Sequence, residues 1–143
     1  MNIFAKLRAG VQTASATETQ AIATEFATAL PVDCTLALHG DLGVGKTTFV
    51  QGLARGFGIQ NAVTSPTFTL FTLHRGSRTL VHLDAYRLEN EAGVDALMLE
   101  DFLTSPFCLA VEWPEKIASW LPPDTWHLTL GIASDGKHAI QLA

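Results

Sequence analysis

Cysteine is nearly absent from this 143-residue chain: there are two, Cys34 and Cys108, each inside an apolar segment, VDCTLAL and PFCLAVEW. Thiols so separated and so placed read as buried and reduced, not as a disulfide framework, and neither cysteine nor histidine shows the spacing of a zinc site. Charge is scarce too. Charged residues make up 16% of the chain, and nine lysines and arginines leave a formal net charge of -5. A surface that neutralises many nucleic-acid phosphates needs far more. Only Arg75, Arg78 and Arg87 are close enough in sequence to suggest a basic patch, so any role with RNA is expected to be indirect or shared with a partner. No apolar run approaches bilayer length, and the N-terminus lacks the apolar stretch and cleavage site of a secretory signal. The expectation is a soluble, cytoplasmic protein that does not use a membrane.

Hydrophobic residues are plentiful at 48%, enough for one buried core in a chain too short for two. Thr17 or Ser15 can cap a helix over roughly residues 17–30, with Ile22, Phe26, Ala29 and Leu30 at helical spacing before Pro31. CTLALHG then reads as a strand buried on both faces. A second helix follows HGDLGVGKTT, with Phe49, Val50, Leu53, Ala54 and Phe57 on one side and Gly56 and Gly58 as a stop. TFTLFTLH and RTLVHLDAY suggest an antiparallel hairpin through Arg75-Gly76-Ser77, and an acidic helical stretch from Glu89 to Leu103 is interrupted at Gly93. FCLAVEW is another buried strand, Pro114 opens a short helix toward Trp120, and the tail forms two strands joined at Ser134-Asp135-Gly136. With no repeat or linker, residues 1–143 read as a single α/β domain: a P-loop NTPase-like three-layer fold whose central, mostly parallel (mixed) sheet is flanked by helices.

Residues 40–47, GDLGVGKT, match G-x-x-x-x-G-K-S/T, the P-loop or Walker A pattern. Glycines let the backbone approach an anion and turn successive N–H groups toward it. Asp41, Leu42, Gly43, Val44, Gly45, Lys46, Thr47 and Thr48 are therefore the candidate nucleotide-binding residues. Lys46 supplies a point charge for the β and γ phosphates, Thr47 a hydroxyl for Mg²⁺, and the helix N-terminus favours the same anion. The pattern arises by chance in roughly one chain in two hundred of this length, and a strand before it with a helix after it makes coincidence rarer still.

Magnesium also wants a carboxylate, and acids at the C-terminal ends of buried strands face the same crevice as the loop. Two qualify, Glu112 somewhat ahead: Asp84 ends LVHLD and Glu112 ends CLAVE. Thr64-Ser65-Pro66-Thr67 precedes a strand, where Pro66 stiffens the turn and Thr67 can sense a γ-phosphate. Trp113 follows Glu112 and can pack beside the nucleotide. Tyr86 and Arg87 read as rim or partner-facing residues, and His39 and His82 as structural histidines within apolar strands. No N-K-x-D guanine-reading motif is present, which favours ATP over GTP.

GDLGVGKTT, TSPTFTL, HLDAYRL and VEWPE occur in an order and spacing that resemble the bacterial TsaE family, formerly called YjeE, across nearly the whole chain. The resemblance implies an ATPase, feeble alone, that assists TsaB and TsaD in forming the threonylcarbamoyl modification at adenosine 37 of tRNAs reading codons that begin with A. It implies ATP or ADP with Mg²⁺ as ligands, and tRNA only through the complex. Carried over by residue, Lys46 and Thr47 bind phosphate and metal, Glu112 contributes to the metal site, Asp84 and Thr67 support hydrolysis or γ-phosphate sensing, and Trp113 lies near the nucleotide. Two positions depart from the family pattern: Ala85, where a larger apolar residue is frequent, and Met98, where glycine is expected. Two other readings are a P-loop kinase for a small metabolite, for which the chain has little room, and a nucleotide-gated binding module without useful hydrolysis.

Overall fold

The computed structural model describes residues 2–41, 43–64, 66 and 70–143. Two short elements precede those the pattern reveals. The Asn2 side chain accepts a hydrogen bond from the Ala5 amide at 2.8 Å and caps α1 (Ile3–Ala9), which ends at Gly10 with φ 95°; β1 (Val11–Thr13) follows. Seven and three residues are too few for periodicity to register. Next, α2 (Ala16–Ala29) is opened by a reciprocal cap: Ser15 Oγ accepts from the Glu18 amide at 3.2 Å, and the Glu18 carboxylate accepts from the Ala14 amide. Arg78 closes its far end, donating to the carbonyls of Leu30 and Pro31.

β2 (Cys34–His39) leads into the glycine loop and α3 (Lys46–Gly56), after which Gly58 turns the chain at φ 70°. β3 (Phe71–Arg75) and β4 (Thr79–Asp84) form the expected hairpin, with Arg75 paired to Thr79 and the turn at residues 76–78. β5 (Phe107–Glu112) is followed by a 3₁₀ helix at Pro114–Trp120, then β6 (Trp126–Ile132) and β7 (His138–Leu142), whose turn contains Gly136 at φ 84°.

These strands make one sheet in the order β1-β7-β6-β2-β5-β4-β3. The four middle strands, β6, β2, β5 and β4, run parallel, while β3, β7 and β1 attach antiparallel at the edges. Alternation along each strand sends side chains to opposite faces. Leu36, Leu38, Leu80, Ala110 and Leu128 meet Phe26, Phe49 and Leu53 of α2 and α3 on one side. Val81, Leu83, Leu109 and Val111 meet Val94, Leu99 and Ile117 on the other. Ala85 is fully buried in that second cluster. Cys34 and Cys108, distant in sequence, are register partners across β2 and β5, and both are free, buried thiols. Among the described residues no helix is long and apolar enough to cross a membrane.

The stretch from Glu89 to Leu103 corrects the expectation of a helix broken at Gly93. α4 (Glu91–Asp95) runs through Gly93, where a Cβ would stand 3.1 Å from the Leu88 side chain, so this glycine makes room for packing. The break falls at Met98, left-handed at φ 53° and ψ 45°, ahead of a 3₁₀ turn at Leu99–Asp101. A position where the family pattern leads one to expect glycine thus carries a side chain in a conformation that favours glycine. Met98 is 60% exposed and has little packing to lose. Met98→Gly is expected to raise stability by about 0.5–1 kcal/mol, the relieved strain exceeding glycine's extra freedom in the unfolded chain. A lower urea midpoint for the variant would contradict this.

Candidate nucleotide-binding site

The loop after β2 follows a path that glycine permits. Gly40, Gly43 and Gly45 have φ of 145°, 82° and 98°. At Gly40 a Cβ would stand 2.5 Å from the Leu130 carbonyl oxygen, so the loop lies directly against β6. Gly45 is the residue before α3, and no side chain caps the helix there. The first amides of α3 are therefore available to an anion. From the other side the His138 Nδ1–H donates to the Val44 carbonyl at 3.0 Å.

Lys46 is folded back into this loop. Its Nζ donates to the Gly40 carbonyl at 2.6 Å and stands 4.0 Å from the centroid of the Trp113 ring. Only 5% of the residue is exposed. Burial pushes the ammonium below its ordinary pKa, opposed by the charges of Glu112, Glu115, Asp84 and Asp41. Trp113 is itself held left-handed at φ 57°, and its ring lies 5.0 Å from that of Tyr86. A tryptophan rarely adopts that backbone conformation, and such residues gather at ligand sites.

Parallel pairing of β4 with β5 sets Asp84 opposite Glu112, so two buried carboxylates share the C-terminal edge of the sheet. Their surroundings differ. One oxygen of Asp84, Oδ1, accepts from the Tyr86 amide at 2.9 Å in a local turn. Glu112 reaches the loop: Thr47 Oγ1–H donates to its Oε2 over a long 3.4 Å, and the His82 Nε2–H donates to the same oxygen at 2.5 Å. Thr47 and Glu112 thus present a hydroxyl and a carboxylate from two rigid elements. An all-oxygen pair of this kind fits a hard divalent cation such as Mg²⁺.

Of the remaining expected site residues, Asp41 and Gly43 are exposed, Val44 is buried and Thr48 is half-buried at the start of α3. Leu42 and Thr67 lie outside the described residues. His39 is satisfied by its neighbour: its Nε2 is 2.9 Å from His127 Nδ1 and the rings stack. Burial, then His127, lowers its pKa. Three contacts of the site escape a reading of the sequence. The partnership of His82 with Glu112 was legible only as the two-residue step from His82 to Asp84, which puts both on one face of β4. The Trp113 cover over Lys46 and the His138 strut to Val44 carry no local signal.

A family model described as "Threonylcarbamoyl adenosine biosynthesis protein TsaE" matches residues 13–140. The tRNA threonylcarbamoyladenosine biosynthesis protein TsaE of Treponema pallidum is 40% identical over 108 residues, covering 76% of this chain and 80% of that protein. Its namesake in Bacillus subtilis is 37% identical over 130 residues, covering 90% and 81%. The crystal structure of Bacillus subtilis YdiB superposes with a TM-score of 0.78 at 34% identity, over 93% of this chain and 82% of that one.

Proposed function

The chain belongs to the TsaE family, and from that premise we propose that it is an ATP-binding, weakly hydrolysing P-loop ATPase that assists TsaB and TsaD in threonylcarbamoylation of adenosine 37 in tRNAs reading codons that begin with A. The observation that carries this reading is the meeting of Lys46, Thr47 and Glu112 at one edge of the sheet, under a loop whose glycines leave its amides open. In it, the amides of residues 43–48 bind the polyphosphate of ATP. Lys46 leaves the Gly40 carbonyl for the β and γ phosphates, a short reach from a buried and partly desolvated position. Thr47 and Glu112 hold Mg²⁺, which would neutralise charge on the phosphate oxygens. Asp84, beside Glu112, and Thr67 support hydrolysis or γ-phosphate sensing, and Trp113 lies against the nucleotide.

Phosphoryl transfer depends mainly on positioned charge, which a partner can complete. Such a site suits an assistant whose ATP state biases a docking surface and whose hydrolysis releases it. Contact with tRNA is then indirect, and the work is cytoplasmic. The test is ATP turnover by the pure protein, alone and with TsaB and TsaD. Turnover is expected to be slow alone and to rise with both partners; no rise with partners competent for tRNA modification overturns the reading. Phosphate found on a small acceptor instead of in water would make the protein a kinase.

A further inference from the structure

We propose that His82 is a positioning residue for the cation site: its Nε2–H fixes the Glu112 carboxylate. The inference rests on the reading of Glu112 as the cation-side carboxylate.

His82 is fully buried on β4, on the same side of the sheet as Leu80 and α3. Glu112 is on the adjacent strand, 5% exposed. A carboxylate only accepts, so the 2.5 Å contact assigns the proton to His82 Nε2. Nδ1 is buried and has no hydrogen-bond partner among the described residues, so among them the Glu112 carboxylate alone holds the ring, as the ring holds the carboxylate.

The two donors to Glu112 are unequal. Thr47 reaches Oε2 only at 3.4 Å, while His82 makes the short contact to the same atom. Orientation thus comes from inside the sheet, the Thr47 hydroxyl remains free to turn its lone pairs to a ligand, and Oε1 accepts from neither. Strand pairing sets the geometry, because β4 and β5 are held in register from Thr79 and Phe107 to Asp84 and Glu112. Hydrogen-bond partners behind a metal ligand commonly set about 10- to 100-fold of metal affinity.

The experiment is calorimetric binding of ADP to the full chain as Mg²⁺ is varied, for wild type, His82→Leu, His82→Gln, His82→Asn and Glu112→Gln. His82→Leu is expected to need about 10- to 100-fold more Mg²⁺ for the same ADP affinity, with metal-free ADP binding unchanged. His82→Gln, whose amide nitrogen extends to the Nε2 position, restores most of the loss; His82→Asn, one carbon shorter, does not. If the leucine variant fails to fold, the glutamine and asparagine variants decide, since equal Mg²⁺ dependence in those two overturns the proposal. So does an equal loss of ADP binding with and without metal, the mark of a merely structural histidine. Glu112→Gln separates the two levels. If it shifts the Mg²⁺ dependence and folded His82→Leu does not, the positioning role falls and the function stands. If Glu112→Gln changes nothing, the assignment of Glu112 fails and takes the positioning role with it.

Discussion

Lys46→Ala is expected to abolish the partner-dependent rise in ATP turnover, lowering it about 100- to 1000-fold, the usual cost of deleting one well-placed electrostatic donor. The geometry says why this lysine and no other. Its ammonium is already confined between the Gly40 carbonyl at 2.6 Å and the Trp113 ring at 4.0 Å, so little freedom is lost when it moves to a phosphate. Four acids that act on it, Glu112, Glu115, Asp84 and Asp41, lose their shared counter-charge in the variant. Without Lys46 the site would repel the polyanion proposed to bind there. Lys46→Arg is not a rescue, because a planar guanidinium does not fit a niche shaped for a point charge under an indole. A folded Lys46→Ala protein that hydrolyses ATP with its partners at the wild-type rate refutes the phosphate-binding role of the loop.

Gly52→Ala is expected to destabilise the fold by about 2–3 kcal/mol, although glycine to alanine within a helix ordinarily gains about 1 kcal/mol. A Cβ at Gly52 would stand 2.5 Å from the Gln20 carbonyl oxygen, 2.6 Å from the Ala23 Cβ and 2.8 Å from the Gln20 Cα. Backbone cannot yield as the end of a flexible side chain can. Gly56, one turn later, faces Ala27 at 2.7 Å in the same way. The Thr24 hydroxyl bridges the two helices by donating to the Gly52 carbonyl at 2.9 Å. α2 and α3 therefore approach at backbone distance, and forcing them apart moves α3, whose first residue is Lys46. Calorimetry should find a lower Tm and isothermal titration a weaker grip on ADP; a raised Tm would show that the helices can separate freely.

What was legible in the sequence is what is chemically local. Glycine, lysine and threonine in a fixed order dictate a loop because neighbouring residues build it. An apolar run ending in an acid likewise identified Asp84 and Glu112 as strand-end carboxylates. Their roles could not be divided on that ground, since each closes a run of the same form. The contact of Glu112 with Thr47, which sets it apart from Asp84, joins residues far apart in the chain. The same applies to His82, an ordinary strand histidine until β5 is placed beside it. Gly93 misled for a different reason: glycine breaks helices by propensity, but here its lack of a side chain admits Leu88, and the unusual backbone angle fell to Met98. α1 and β1 were too short to announce themselves.

The strand order carries a last consequence for biosynthesis. β2, which feeds the glycine loop, is flanked by β5 and β6, so both of its neighbours come from residues 107–132. A growing polypeptide on the ribosome emits Lys46 long before it emits either flank, and Gly40 finds the Leu130 carbonyl only once β6 has emerged. The nucleotide capture proposed for this site therefore waits for β6, and nascent chains halted ahead of Trp126 should draw no ATP from their surroundings.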